Sequence, residues 1–168
     1  MDALRDIVES VKPYLCSEEG AIACVGTELR RDDVAGLEVC RNLESVEGLK
    51  GKLILCPYGL ENCLEDIIRR GVKKLLVIDA ALPIGGEGGE YIITALDNVS
   101  SNYLATTHNI PVPMIVRYLR LRGVARDVTL LGIVARDLRF GEGVTEEVRK
   151  TIDEVVEGIK EAYMECTQ

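Results

Sequence analysis

Residues 21–36 read Ala-Ile-Ala-Cys-Val-Gly-Thr-Glu-Leu-Arg-Arg-Asp-Asp-Val-Ala-Gly, an apolar run that ends at Gly26 and leads to the carboxylates of Asp32 and Asp33. A continuous apolar run of this kind is typical of a parallel strand that is buried on both faces. Apolar side chains then recur at helical spacing over 33–46, which predicts a helix. In such α/β units ligands bind beyond the carboxyl ends of the strands, so we expect chemistry at this turn.

The same alternation of strand and helix continues along the chain. Apolar runs and helical periodicity predict strands at 52–56, 74–78, 90–96 and 128–135, and helices at 4–15, 60–70, 110–122 and 145–164. The strand at 90–96 follows another strand without an intervening helix, so we expect it to run antiparallel, at an edge of the sheet. The predicted fold class is α/β, a three-layer α/β/α sandwich around a mostly parallel five-stranded sheet.

No linker or internal repeat divides the sequence. We therefore expect a single domain over residues 1–168, with an extra N-terminal helix within 1–19 and an α/β core over 20–164. The chain carries 28 acidic residues against 20 Lys and Arg, which gives a net charge of −8. Nucleic acids are bound by clustered positive charge, so they are not expected partners.

Membrane segments and secretion signals are not expected in this chain. No apolar run approaches the ~20 residues that a bilayer requires. The N-terminus has no basic region followed by an apolar stretch, which a secretory signal would need. We therefore expect a cytoplasmic protein that has no membrane partner.

The six cysteines form no C-x-x-C pair, which argues against a zinc site or a thioredoxin-like motif. Cytosolic thiols usually stay reduced, although some hyperthermophiles are an exception. Cys24 and Cys56 end strand-like runs, and we expect them to pack as small apolar side chains. A nucleophile made from Cys56 or Cys63 with His108 stays open in principle, but no local motif supports it.

Other catalytic signatures are missing from the sequence. It contains no G-x-S-x-G elbow of a serine hydrolase and no G-x-x-x-x-G-K-[ST] phosphate loop. Gly26 stands alone, and the glycines within 85–89 are not followed by a predicted helix. A nucleotide site is therefore poorly supported.

Three polar groups are expected at one edge of the predicted sheet. Asp32 and Asp33 follow the first strand, Asp79 ends the third apolar run, and His108 is the only histidine of the chain. Two carboxylates and one imidazole make an incomplete set of metal ligands, which suits zinc, nickel, iron or copper. Water or groups from another molecule would complete such a set.

Each of these groups also has a purely structural explanation. Asp32 and Asp33 can cap the helix that follows them, and Thr145 is expected to cap the last helix in the same way. Asp79 can accept hydrogen bonds from a neighbouring loop, since an unpaired buried charge is costly. His108 can be an exposed loop residue.

Three segments, in order and spacing, resemble the signatures of the nickel–iron hydrogenase maturation endopeptidases. Residues 25–36 resemble the first signature, which combines a glycine turn with two acidic residues. Residues 76–81 resemble the second, an apolar strand that ends in Asp-Ala, and residues 100–119 resemble the third, in which His108 precedes an apolar helix. The likeness covers about residues 20–160.

The resemblance implies that Asp33, Asp79 and His108 form a trio that contacts a metal and carries out catalysis. It implies an endopeptidase that removes a C-terminal peptide from the nickel-loaded precursor of a hydrogenase large subunit. The nickel then belongs to the substrate, and no organic cofactor is implied. Nickel would polarise the scissile carbonyl or activate a water, and Asp79 or Glu28 could serve as the base.

The chain departs from the family pattern after its second strand. Residues 56–62 read Cys-Pro-Tyr-Gly-Leu-Glu-Asn, where the family commonly has a glycine-rich loop. We expect this loop, and the turn that follows the first strand, to contact the substrate. The expected substrate-binding residues are Glu28, Tyr58, Glu61 and Asn62.

Two other classes of function stay open. The protein could be a non-catalytic chaperone or binding module that checks the nickel loading of the precursor. It could also be a metal-dependent hydrolase of small molecules, which would need a deep, closed pocket. The incomplete ligand set and the glycine-rich segment 85–89 favour a protein substrate.

Overall fold

The computed structural model of the chain describes residues 2–82, 87–96 and 110–168. The α-helices are α1 (Ala3–Leu15), α2 (Ala35–Leu43), α3 (Leu64–Arg70), α4 (Val112–Leu121) and α5 (Glu146–Cys166). The strands are β1 (Gly20–Gly26), β2 (Leu53–Pro57), β3 (Lys74–Ala81), β4 (Tyr91–Ala95) and β5 (Asp127–Val134). Short 3-10 helices span Arg31–Val34, Lys50–Lys52 and Leu60–Cys63.

The strands of the described residues form one five-stranded sheet in the order β2-β1-β3-β5-β4. Strands β1, β2, β3 and β5 are parallel, and β4 pairs antiparallel with β5 at the edge. The predicted mostly parallel sheet and its antiparallel edge strand are therefore confirmed. The carboxyl ends of the parallel strands meet at one edge of the sheet, which we call the C-terminal edge.

Helices cover both faces of the sheet, which confirms the three-layer sandwich. Ile22 and Cys24 of β1 pack in a core with α1, α2 and α5. Ala23 and Val25 point to the opposite face and pack in a second core with α3 and α4. The strand sequences lack polar alternation because both faces are buried. Full burial of an Ile or Leu side chain contributes about 1.5–3 kcal/mol, so these two cores hold the layers together.

Helix α1 packs against α5 within the first core. At the rim of this contact, Glu165 of α5 lies 2.7 Å from an Arg5 nitrogen and 2.9 Å from the Lys12 Nζ. The hydrogen bonds from Arg5 and then from Lys12 lower the pKa of Glu165 to about 2.

The single-domain assignment over 1–168 stays a prediction. None of the helices described here is long and apolar enough to cross a membrane.

Several element boundaries differ from those predicted. The helix expected over 33–46 is a 3-10 turn followed by α2, and α2 ends at Leu43. Strand β3 continues to Ala81 because β5 supplies ladder partners as far as Val134. Asp79 therefore lies inside β3 rather than just beyond it. Such pairing depends on β5, which is distant in sequence, and a local pattern cannot reveal it.

All six cysteines are paired in disulfides, although thiols of cytosolic proteins usually stay reduced. The pairs are Cys16–Cys166, Cys24–Cys40 and Cys56–Cys63. Cys24 and Cys56 are fully buried, as expected, but as half-cystines. No thiol remains for a Cys–His nucleophile. Cys56–Cys63 closes the loop after β2, on which three expected substrate-binding residues lie.

Candidate active site

Two glycines allow the turn after β1 to lie directly on the sheet. A Cβ at Gly26 would lie 2.6 Å from the carbonyl oxygen of Asp33. A Cβ at Gly36 would lie 2.2 Å from the carbonyl oxygen of Val25 and 2.4 Å from that of Ile78. Only a residue without a Cβ fits such contacts with backbone atoms. The turn that carries Asp33 is thereby pressed onto the C-terminal edge, over β1 and β3.

The Asp32 carboxylate is fully buried and binds the loop between β5 and α5. Its Oδ2 accepts hydrogen bonds from the backbone N–H groups of Arg136 and Asp137, both at 2.9 Å. Its Oδ1 accepts the backbone N–H of Thr145 at 2.7 Å, and the Thr145 hydroxyl lies 2.9 Å from Oδ2. Asp32 therefore does not cap α2, whereas Thr145 is the N-cap residue of α5 by position. Asp32 binds a distant loop, and the Thr145 side chain makes no capping hydrogen bond on α5.

The backbone of this turn is fixed to the same loop. The Arg31 N–H donates to the carbonyl of Gly141 at 3.0 Å, and the Asp32 N–H donates to that of Asp137 at 3.1 Å. Arg31 has a φ of 44°, a left-handed conformation that costs roughly 1–3 kcal/mol in a non-glycine residue. Its guanidinium binds Asp137 at 2.8 Å. Hydrogen bonds from Arg139, together with the charges of Arg139 and Arg31, hold the pKa of Asp137 well below its ordinary value.

Asp33 and Asp79 are both buried at the C-terminal edge, with exposed fractions of 2% and 0%. The Asp33 N–H donates to the carbonyl of Arg30 at 3.0 Å, and the Asp33 carbonyl accepts the N–H of Thr27 at 3.1 Å. Asp79 lies in β3, between β1 and β5, and its Oδ1 accepts the N–H of Ala80 at 2.8 Å. The predicted edge thus carries these two buried carboxylates in addition to that of Asp32.

The third member of the predicted trio, His108, lies outside the described residues. Strand alternation places Asp79 on the face of β3 that also carries Val77, and that face packs with α4. In residues 2–82, 87–96 and 110–168, no three His, Cys, Asp or Glu side chains could together hold a metal ion. A metal-binding role of Asp33, Asp79 and His108 therefore stays a prediction.

Two of the expected substrate-binding residues line one cavity of about 270 Å³ at the C-terminal edge. Glu28 borders it on the side of the first turn and Tyr58 on the side of the β2 loop. Tyr58 has a φ of 73°, and its side chain remains 62% exposed. An exposed aromatic ring on a strained backbone is a common feature of binding sites.

Glu28 also forms an ion pair with Arg41 of α2, with 2.5 Å between the charged atoms. Both residues line a second cavity of about 250 Å³, which continues toward Glu142 and Arg149. Burial acts to lower the pKa of Arg41, but the hydrogen bonds and charges of Glu28 and Glu38 raise it overall. The two cavities share Glu28 and Arg41 and therefore lie side by side next to the turn after β1.

Glu61 and Asn62 lie in the 3-10 helix that follows Tyr58, and they do not line the cavity beside it. The Asn62 Nδ2 donates to the carbonyl of Pro57 at 2.8 Å and so holds the loop. The Glu61 carboxylate covers Gly59, where a Cβ would lie 2.3 Å from its Oε1. Its Oε2 is buried without a hydrogen-bond partner among the described residues.

Sequence reasoning missed the loop between β5 and α5, which supplies Arg136, Asp137 and Thr145 to the site. The available signals were the polar run Arg-Asp-Leu-Arg directly after a predicted strand and the glycines at 141 and 143. Such a segment after a parallel strand lies at the same edge as the other candidate residues.

Comparison with known proteins agrees with this architecture. A family model described as hydrogenase maturation protease matches residues 59–162. A Methanocaldococcus jannaschii protein assigned as a hydrogenase maturation protease is 28% identical over 150 residues, which cover 84% of this chain and 86% of that protein. The hydrogenase 3 maturation protease of Escherichia coli is 25% identical over 141 residues, which cover 83% of this chain and 87% of that protein.

A solved structure has the same fold. The crystal structure of a [NiFe] hydrogenase maturation protease from Thermococcus kodakarensis superposes with a TM-score of 0.70 at 24% identity, over 86% of this chain and 91% of that one. The family model covers more than half of the sequence, and its match includes Asp79, His108 and the loop that binds Asp32. The chain belongs to the hydrogenase maturation protease family.

Proposed function

We propose that this protease removes a C-terminal peptide from the nickel-loaded precursor of a hydrogenase large subunit. We further propose that Asp33, Asp79 and His108 contact the nickel carried by that substrate. The observation that carries this proposal is the burial of Asp33 and Asp79 together at the C-terminal edge. Carboxylate oxygens and an imidazole nitrogen suit a divalent transition metal.

The position of His108 in the sequence agrees with this assignment. It precedes the first residue of α4, Val112, by four positions. Asp79 faces the side of the sheet that α4 covers. This position in the sequence is the reason that we propose His108 as the partner of Asp79. Asp33 would approach from the turn over β1.

In the proposed reaction the substrate's nickel polarises the scissile carbonyl or activates the attacking water. The trio holds the protease against the metal, and either Asp79 or Glu28 accepts the proton of the water. Glu28, Tyr58, Glu61 and Asn62 hold the polypeptide on either side of the scissile bond. No organic cofactor is required, and the partner is the precursor protein in the cytoplasm.

Open cavities at this edge support a protein substrate. Those beside Glu28 have volumes of about 270 and 250 Å³, and one of about 450 Å³ lies against Arg136, Asp137 and Thr145. Sites for small molecules usually enclose most of their ligand, whereas an extended peptide needs only open grooves.

The test is the intact mass of a nickel-loaded precursor after incubation with the protease. We expect the precursor to lose a C-terminal peptide, and we expect Asp79→Ala and His108→Ala to abolish this loss without unfolding the protein. The nickel-free precursor and the distal variant Glu165→Gln serve as controls. Binding of the precursor without any change in mass would instead support the chaperone. Cleavage at the wild-type rate by folded Asp79→Ala would contradict the trio.

A further inference from the structure

We propose that Asp32 is a positioning residue of the protease, which holds its neighbour Asp33 in place by tying the first turn to the N-terminus of α5. This inference rests on the proposed role of Asp33. Asp32 is fully buried, and all four of its donors come from residues 104 to 113 positions later in the sequence. Its side chain therefore joins two distant parts of the C-terminal edge.

The chemistry of this contact requires an ionised carboxylate. The backbone N–H groups of Arg136, Asp137 and Thr145 all point at it, as does the Thr145 hydroxyl. A carboxylate is the one side-chain group that offers acceptor sites to all four donors, because an amide would turn its own N–H₂ toward some of them. Hydrogen bonds to a charged acceptor are also stronger than neutral ones.

The position at the start of α5 adds to this effect. The Thr145 N–H belongs to the first residue before α5, a helix of 21 residues. The N-terminus of a helix carries a partial positive charge, which favours an anion there. The Asp32 side chain therefore fixes the turn to the long helix α5, which itself packs in the first core.

Asp33 takes its position from this attachment. The backbone of Asp33 is hydrogen-bonded to Arg30 and Thr27, which belong to the same segment of chain. That segment is attached to the β5–α5 loop by hydrogen bonds of Leu29, Arg30 and Arg31. Asp32 adds the buried carboxylate that accepts four hydrogen bonds from the loop, directly beside Asp33. A catalytic group that moves by about 1 Å can lose roughly a hundredfold in rate.

The experiment compares Asp32→Asn with matched variants in the precursor-cleavage assay, with kcat and KM measured separately. We expect Asp32→Asn to lower kcat by roughly tenfold to a hundredfold, since Asp33 moves. KM stays within about twofold, because Glu28 and Tyr58 do not contact Asp32 and keep their places. Thr145→Val removes one donor and lowers kcat less, whereas Thr145→Ser retains the hydroxyl and restores kcat.

A second readout is calorimetric titration with Ni²⁺ alone, which does not depend on turnover. The Ni²⁺ binding of interest is that which the wild-type protein shows and the Asp33→Asn variant lacks. Asp32→Asn should weaken this binding. The stability control is Glu165→Gln, whose side chain lies in the α1–α5 contact. Its midpoint of thermal unfolding is measured beside that of Asp32→Asn, and kcat is measured well below both midpoints.

The outcomes separate the two proposals. A folded Asp32→Asn variant with wild-type kcat overturns the positioning role. The positioning role is also overturned if Glu165→Gln, at an equal loss of thermal stability, loses as much kcat as Asp32→Asn. If Asp32→Asn does not fold, the comparison of Thr145→Val with Thr145→Ser decides the same question. Cleavage of the precursor at the wild-type rate by Asp33→Asn would instead contradict the proposed role of Asp33, independently of the result for Asp32→Asn.

Discussion

The backbone N–H of Tyr58 donates to the carbonyl oxygen of Gly26 at 2.8 Å, and this hydrogen bond joins the ends of β2 and β1. Tyr58 reaches it in a left-handed conformation with a φ of 73°. Its ring is largely exposed and borders the cavity that Glu28 also lines. The chain thus holds an aromatic side chain at the candidate active site on a backbone that glycine would adopt more easily.

Replacement of Tyr58 by glycine should separate stability from function. We expect Tyr58→Gly to raise the free energy of unfolding by about 1 kcal/mol, because the left-handed strain is relieved. The same variant should raise KM for the precursor, because the ring is lost. Chemical denaturation and the cleavage assay measure the two effects. Tyr58→Ala is the matched control, since it should raise KM without the gain in stability. A Tyr58→Gly variant with unchanged KM would exclude a binding role of the ring.

A second prediction concerns Gly36 of α2, which packs against backbone carbonyls of β1 and β3. Gly36→Ala should lower the free energy of unfolding by several kcal/mol or prevent folding, since its Cβ would lie 2.2 Å from the carbonyl oxygen of Val25. The control is Gly51→Ala, because a Cβ at Gly51 meets nothing within 4 Å. Thermal unfolding of the two variants gives the comparison, and equal midpoints would contradict the close approach.

Removal of Cys16–Cys166 should cost more stability than removal of Cys56–Cys63. The first pair spans 150 residues and the second spans 7. The chain-entropy relation then gives about 5 kcal/mol for the first and roughly 2 kcal/mol for the second. Denaturation of the two double Cys→Ser variants under matched conditions measures both losses. A larger loss for the short loop would show that local geometry, rather than chain entropy, sets the contribution.

The contact of Arg5 and Lys12 with Glu165 predicts a dependence of stability on acid. The pKa of Glu165 is depressed in the folded protein, from its ordinary value of 4.5 to about 2. Its contribution to stability is therefore complete above pH 4.5 and is lost as the pH falls toward 2. Unfolding measured across this range should show a smaller slope for Glu165→Gln than for the wild-type protein. An unchanged slope would assign the acid sensitivity to other carboxylates.

The sequence predicts the layers of this fold well because its strands are buried on both faces. β1 and β3 appear as unbroken apolar runs, and the helices between them carry clear periodicity. The segment after β3 predicts the antiparallel edge strand because no helix separates the two strands. The end of β3 is predicted less well, since it depends on pairing with β5.

The candidate site is predictable in part. Asp33 and Asp79 are found because each follows or ends an apolar run, and strand order then brings such positions to one edge. The partners of Asp32 are not found, because they lie more than a hundred positions away and three of them are backbone N–H groups. The three disulfides are not predicted either, since the spacing of six cysteines does not determine which of them the folded chain brings together.

The Cys16–Cys166 bridge turns the 151 residues it encloses into a covalent ring, since its cysteines are 150 positions apart. The candidate active site is assembled from two distant arcs of this ring, the turn at Asp32 and the loop at Asp137. One cleavage of the backbone between those arcs would open the ring but release no piece. The two arcs would stay on one molecule until the bridge itself was reduced.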